Sequence, residues 1–153
     1  MRSAVVVDSG PLIALFDRDD AWHDPIVKFL KKHAGLRLVT TWAVLNETSA
    51  LLGSRVGKQA ELDFLAWVER GGLSVAPQEP AALHASAALH AIRALIEKYR
   101  DMPFDFAGAS VAVLAAETGI AQVLTLDRDF DIYRDSRGKR LRNLLASTIA
   151  RTR

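Results

Sequence analysis

The sequence predicts an α/β domain in three layers, a central and mostly parallel sheet flanked by helices. Three observations carry that reading. Val5-Val6-Val7 and Val123-Leu124-Thr125-Leu126 are short apolar runs without polar alternation, the pattern of strands buried on both faces. Strand-like runs alternate along the chain with segments of helical spacing, the order that builds parallel crossover units. Both runs also deliver a carboxylate at their C-terminal ends, Asp8 and Asp127.

The elements follow in order. Ala4–Val7 reads as a central strand, and Ser9-Gly10-Pro11 turns the chain into a short helix from Leu12 to Phe16, with Pro11 suited to a first helical turn. Trp22, Ile26, Phe29 and Leu30 give helical spacing from Trp22 to His33, stopped by Gly35. Arg37–Thr41 reads as a second strand. Thr41 is placed to cap a helix ending at Gly53, whose Trp42, Leu45, Leu51 and Leu52 should face the core. Lys58–Glu69 is a helix with Leu62, Leu65, Trp67 and Val68 in its pattern, ended by Gly71-Gly72. Leu73–Ala76 is a third strand and Ala81–Tyr99 a long alanine-rich helix, broken at Met102-Pro103. A helix from Phe104 to Thr118, stopped by Gly119, leads to a fourth strand, Gln122–Leu126. A basic, helical tail follows Gly138.

A chain of 153 residues suits one domain, 1–153, with the basic tail starting at about 135. Half the residues are apolar, enough to bury a core without staples. The absence of cysteine excludes disulfides and thiolate–zinc sites and fits a reducing compartment. With no signal-peptide pattern and no run approaching ~18 apolar residues, the expectation is a cytoplasmic protein that does not enter a membrane. Net charge is only +2, but residues 128–153 hold eight Arg or Lys against three Asp. That basic segment beside an acidic body can attract polyanions, and a solvated helix face explains it about as well. The sequence holds neither G-x-G-x-x-G after a strand nor G-x-x-x-x-G-K-[ST], so it lacks a phosphate cradle for nucleotide cofactors. "VVVDSG" lacks the second aspartate of aspartyl-phosphate phosphatases, having Gly10 there. No nucleophile-elbow motif supports a Ser–His pair.

The acids at the ends of the two runs fall where open α/β sheets bind ligands. Glu47 lies early in the helix after Thr41 and can point along the same edge. Asp105 lies at the first turn of another helix, where the dipole alone stabilises a carboxylate by roughly 0.3–1 kcal/mol. If the four converge, two like charges ~4 Å apart repel by about 4 kcal/mol at an effective dielectric of 20. Such a cluster needs a cation or shifted pKa values. Hard oxygen donors without cysteine or paired histidine select Mg²⁺ or Mn²⁺, an apparatus for phosphodiester hydrolysis.

The segments "VVVDSGPLIALFDRDDAWHD", "VLNETSALL", "PFDFAGASVAVLAAETGI" and "VLTLDRDFDIYR" together resemble the successive motifs of PIN-domain nucleases, with the nearest likeness to VapC-type toxins of bacterial toxin–antitoxin pairs. The resemblance spans roughly residues 4–134. It implies a PIN-like fold, a Mg²⁺- or Mn²⁺-dependent endoribonuclease, RNA as substrate, a cognate antitoxin as partner and a homodimer. By it, Asp8, Glu47, Asp105 and Asp127 are the catalytic acids and metal ligands. The chain departs from the family at one place. Relatives with this local pattern read D-x-x-D-A, and here the second acid is replaced by Gly108. Either Asp105 suffices, or the chain is a catalytically impaired PIN domain that still binds RNA or an antitoxin. Glycine inside a helix costs about 1 kcal/mol against alanine, so stability does not account for it.

Ser9 and Thr125 flank the strand-end acids and are candidates to orient a carboxylate or a metal-bound water. Arg128, Arg134, Lys139 and Arg140, with Arg137 and Arg142, are candidates to contact RNA phosphates. Asp129 reads as a turn or cap residue, and Asp17, Asp19, Asp20 and Asp24 as a solvated loop. Histidines 23, 33, 84 and 90 lack i,i+4 pairing, against a zinc site on one helix; His84 and His90 read as surface residues. Trp22, Trp42 and Trp67 sit at apolar helical positions and read as core or interface residues. The helices of residues 12–34 and 42–69 carry apolar surface for a partner.

Overall fold

Strand β1, Ala4–Val7, is the buried centre of the molecule: Val5, Val6 and Val7 are at most 1% exposed. The computed structural model describes residues 3–76 and 82–151. Around β1 stand β2 (Arg37–Thr41), β3 (Ser74–Ala76), β4 (Gln122–Leu124) and β5 (Arg142–Asn143), in the order β3-β2-β1-β4-β5. Every named pairing is parallel, with Val5 opposite Leu38 and Val6 opposite both Val39 and Val123. The strand order reverses between β1 and β4, so a crevice opens at their carboxyl ends.

Helices α1 (Ser9–Phe16) and α2 (His23–Lys32) cover one face, where Leu12, Ile26 and Leu30 meet Val7, Leu38 and Leu124. The crossover from β3 to β4 runs in the opposite direction, so the right-handed rule puts its helices on the other face. There α5 (Ala82–Lys98) packs on α6 (Phe106–Thr118), and α6 packs on β1 and β2. Residues 107–116 of α6 are all buried. A helix buried all round must be apolar all round, and its alanines and Gly108 keep it slim enough to lie between neighbours. Gly119 ends it in the left-handed conformation at φ 73°, as expected for a glycine stop. Helix α3 (Trp42–Arg55) packs on both α1 and α6, α4 (Lys58–Glu69) packs on α3, and Thr41 caps α3 through its hydroxyl, 3.1 Å from the Val44 N–H.

Several expectations shift. Helix α1 begins at Ser9 with Asp8 as its cap, α3 runs through Gly53 to Arg55, and β4 ends at Leu124, two residues short of the apolar run. Gly53 carries no left-handed φ, so nothing obliges the helix to stop there. On α4 the buried residue is Phe64, while Leu62 and Leu65 are exposed. Trp42 is 54% exposed, because the cap at Thr41 turns the first residue of α3 outward. The basic segment is not a helical tail throughout. It forms β5 and then α7 (Ala146–Arg151), anchored by buried Leu141, Leu145 and Ile149. The expected start at Ala81 and the side chain of His84 lie outside the described residues; His90 is exposed. Among the described residues no helix is long and apolar enough to cross a membrane.

Candidate functional site

Asp8 leaves β1 with its N–H donating to the Leu124 carbonyl at 2.9 Å, so the β1–β4 ladder itself sets its position. Its side chain is 9% exposed. One carboxylate oxygen accepts the Ser9 N–H at 2.9 Å and the other accepts the Thr125 hydroxyl at 2.8 Å. Thr125, fully buried, also accepts the Asp127 N–H at 3.0 Å, so one hydroxyl links the two acids that follow the central strands. Asp127 then caps a short 3₁₀ helix, Arg128–Asp131, accepting the Asp129 N–H at 2.9 Å.

Glu47 projects from α3, half-buried, with the Ser9 hydroxyl as a hydrogen-bond partner. Asp105 is the exposed N-cap of α6 and accepts the Gly108 N–H at 2.8 Å. All four sequence-predicted acids line one cleft of about 200 Å³, together with Ser9 and Gly108. Its other wall is apolar and includes Phe104, Leu126 and Phe130. A Cβ added to Gly108 would lie 3.1 Å from an Asp105 carboxylate oxygen. A side chain at position 108 would therefore enter the cleft beside Asp105.

The electrostatics follow from crowding and burial. Burial pushes Asp8 from the ordinary 3.8 up to about 6, against the lowering hydrogen bonds of Thr125 and Ser9, with Asp105 and Glu47 adding to the rise. Glu47 is raised by burial and then by Asp105, while its Ser9 hydrogen bond and Arg55 lower it. Asp127 is raised by burial, with Asp129 and Asp105 adding to the rise. Beside the cleft, Tyr133 is 1% exposed and its hydroxyl has no hydrogen-bond partner among the described residues. Burial, then Asp127, Asp129 and Asp105, push that phenol up to about 12.

This donor set, carboxylates and hydroxyls with no sulfur, suits a hard divalent cation. Among the described residues, however, no three acidic or histidine side chains stand close enough together to hold a metal ion as a group. Asp105 and Asp127 each accept a backbone N–H that they cap, and position 108 adds no carboxylate.

The basic candidates lie outside the cleft lining. Arg128 follows Asp127 directly, and Arg134 and Arg140 meet across an antiparallel bridge that holds exposed Lys139 between them. Asn143 of β5 was not legible as a site residue. Its carboxamide accepts the Thr125 N–H at 3.3 Å and donates to the Thr125 carbonyl at 3.0 Å, which fixes the threonine that holds Asp8. The one sequence signal for it was the apolar pair Leu144-Leu145 after a basic run.

A family model of the PIN domain matches residues 5–135. The chain belongs to the PIN domain family. Among solved structures, the PIN fold of this chain is similar to VapC20 of Mycobacterium tuberculosis, a sarcin-ricin loop cleaving toxin, with a TM-score of 0.70 and 23% identity over 84% of this chain and 93% of that one. At that identity the likeness is one of fold. A comparison with curated protein sequences finds no match. The membership agrees with the strand order and with the clustering of acids at the PIN sheet's carboxyl edge.

Proposed function

We propose that this PIN domain is a Mg²⁺- or Mn²⁺-dependent endoribonuclease, the cytoplasmic toxin of a VapBC-type pair, acting as a homodimer and restrained by a cognate antitoxin. The observation that carries the proposal is the convergence of Asp8, Glu47, Asp105 and Asp127 on one cleft from four separate parts of the chain. The likeness to an RNA-cleaving toxin supports the substrate class.

Asp8 and Glu47 are the inner ligands in this reading, with Asp105 and Asp127 at the rim. A divalent ion held by these acids would supply Lewis acidity and positive charge against the phosphate. The chain's own residues do the rest. Thr125 and Ser9 fix both oxygens of Asp8 and leave its remaining lone pairs toward the cleft. Ser9 also restrains Glu47. Phe104, Leu126 and Phe130 form a dry wall that lowers the local dielectric and strengthens each charge interaction. Arg128, Arg134, Lys139 and Arg140 hold the RNA backbone outside the cleft.

Cleavage of a structured RNA in Mg²⁺ or Mn²⁺, with Asp8→Asn as control, tests the mechanism; equal cutting by the variant removes it. Gly108 favours a second reading, a PIN domain impaired in catalysis that still binds RNA or an antitoxin. Gly108→Asp separates the two. It creates activity from none under the second reading, whereas efficient cutting by the native chain eliminates that reading.

A further inference from the structure

A large groove among the described residues lies at the opposite end of the sheet from the acids. It is a groove of about 820 Å³ that runs past the amino-terminal ends of the strands, touching Ser3 before β1, Leu36 before β2, Gln122 at the start of β4 and Arg142 at the start of β5. Helix α2 forms one bank and the β5–α7 segment the other. Docking of the C-terminal segment therefore builds the groove.

Its charge is one-sided. Lys28 and Lys32 rise from α2, Arg142 and Arg151 face them from the other bank, and all four are exposed. Asp24 is the one carboxylate among the described residues that line it. None of the four cations has an acidic partner within 4.0 Å among the described residues. Phe29 and His33 add a ring pair, stacked at 4.2 Å with an interplanar angle of 26°. His33 Nδ1 lies 2.9 Å from the Phe29 carbonyl, which commits that nitrogen as donor and leaves Nε2 for another partner.

We infer that this groove is a second nucleic-acid site, taking the phosphodiester backbone of a single-stranded RNA away from the acid cleft. Facing rows of unpaired Lys and Arg track a linear polyanion, and an exposed ring beside them offers a face for a base. An acidic peptide would use the charges but not the stacked rings. The inference goes beyond the proposed nuclease and requires no cleavage.

The test is fluorescence anisotropy of a labelled oligouridylate with the full chain in EDTA, so that binding is read without hydrolysis. Lys28→Glu/Lys32→Glu should lower affinity by roughly tenfold or more at moderate salt, and the milder Lys32→Gln/Arg142→Gln should reduce the salt slope by about 1.4, as for two lost phosphate contacts on a single strand. These positions are exposed, so folding is preserved and is checked by circular dichroism. Arg93→Glu/Lys98→Glu reverses the same charge on α5 as a control. Unchanged affinity in the groove variants overturns the inference, as does an equal loss in the control. Displacement of the RNA by polyglutamate of matched charge as readily as by unlabelled RNA also overturns it, in favour of an acidic protein segment.

Discussion

Asp8 is held in the folded chain at a cost that its hydrogen bonds to Thr125 and Ser9 offset only in part. Its pKa rises from 3.8 in the unfolded chain to about 6 in the native site, chiefly because burial disfavours the charged form. Below pH ~4 the carboxyl is protonated in both states and the penalty is absent. Between pH 4 and 6 the unfolded state ionises while the native state keeps its proton, so stability falls as pH rises. Above 6 both are ionised and the loss is complete, about 3 kcal/mol at roughly 1.4 kcal/mol for each tenfold change. Asp8→Asn removes that penalty but leaves one oxygen to serve two donors, the Ser9 N–H and the Thr125 hydroxyl, at about 1 kcal/mol for the hydrogen bond lost. The net expectation is a gain of about 2 kcal/mol in EDTA at pH 7.5, a rise in Tm of roughly 4–8 °C for a domain of this size. At pH 4 the gain should vanish. Paired thermal melts of wild type and variant at the two pH values measure it. A variant no more stable than wild type at pH 7.5, or a difference independent of pH, would refute the reasoning.

Two further substitutions probe the supports. Thr125→Val deletes a fully buried hydroxyl that serves both Asp8 and the Asp127 N–H; urea unfolding should show a loss of about 1–3 kcal/mol, and pH titration should show Asp8 moved further upward. Asp105→Ala removes the cap of α6, so the same denaturation assay should show about 1 kcal/mol lost, even where no metal is present.

The parts of this fold most legible in the sequence are those where burial admits only one solution. Three consecutive valines ending in an acid can only be a strand covered on both faces, and the alanine-rich run of α6 can only be a helix enclosed on all sides. The acids at the carboxyl edge follow from those two facts with the topology rule. Helix α4 was harder. Leu62, Phe64, Leu65, Trp67 and Val68 are too many for one stripe, and spacing alone does not show that Phe64 takes the core position. Strand β5 was invisible because Arg142-Asn143 is two polar residues long and exists through its pairing with Gln122 and Val123. With it went Asn143 and the support it gives to Thr125. Gly108 was legible as an oddity, and the structure adds its direction, toward Asp105.

The central claim is that acids remote in sequence share one divalent ion, and Mn²⁺ titration followed by electron paramagnetic resonance at pH 7.5 tests it most directly. The account predicts a saturable site displaced by Mg²⁺ and abolished by either Asp8→Asn or Glu47→Gln. Absence of saturable binding at millimolar Mn²⁺, or binding that survives both substitutions, would contradict it.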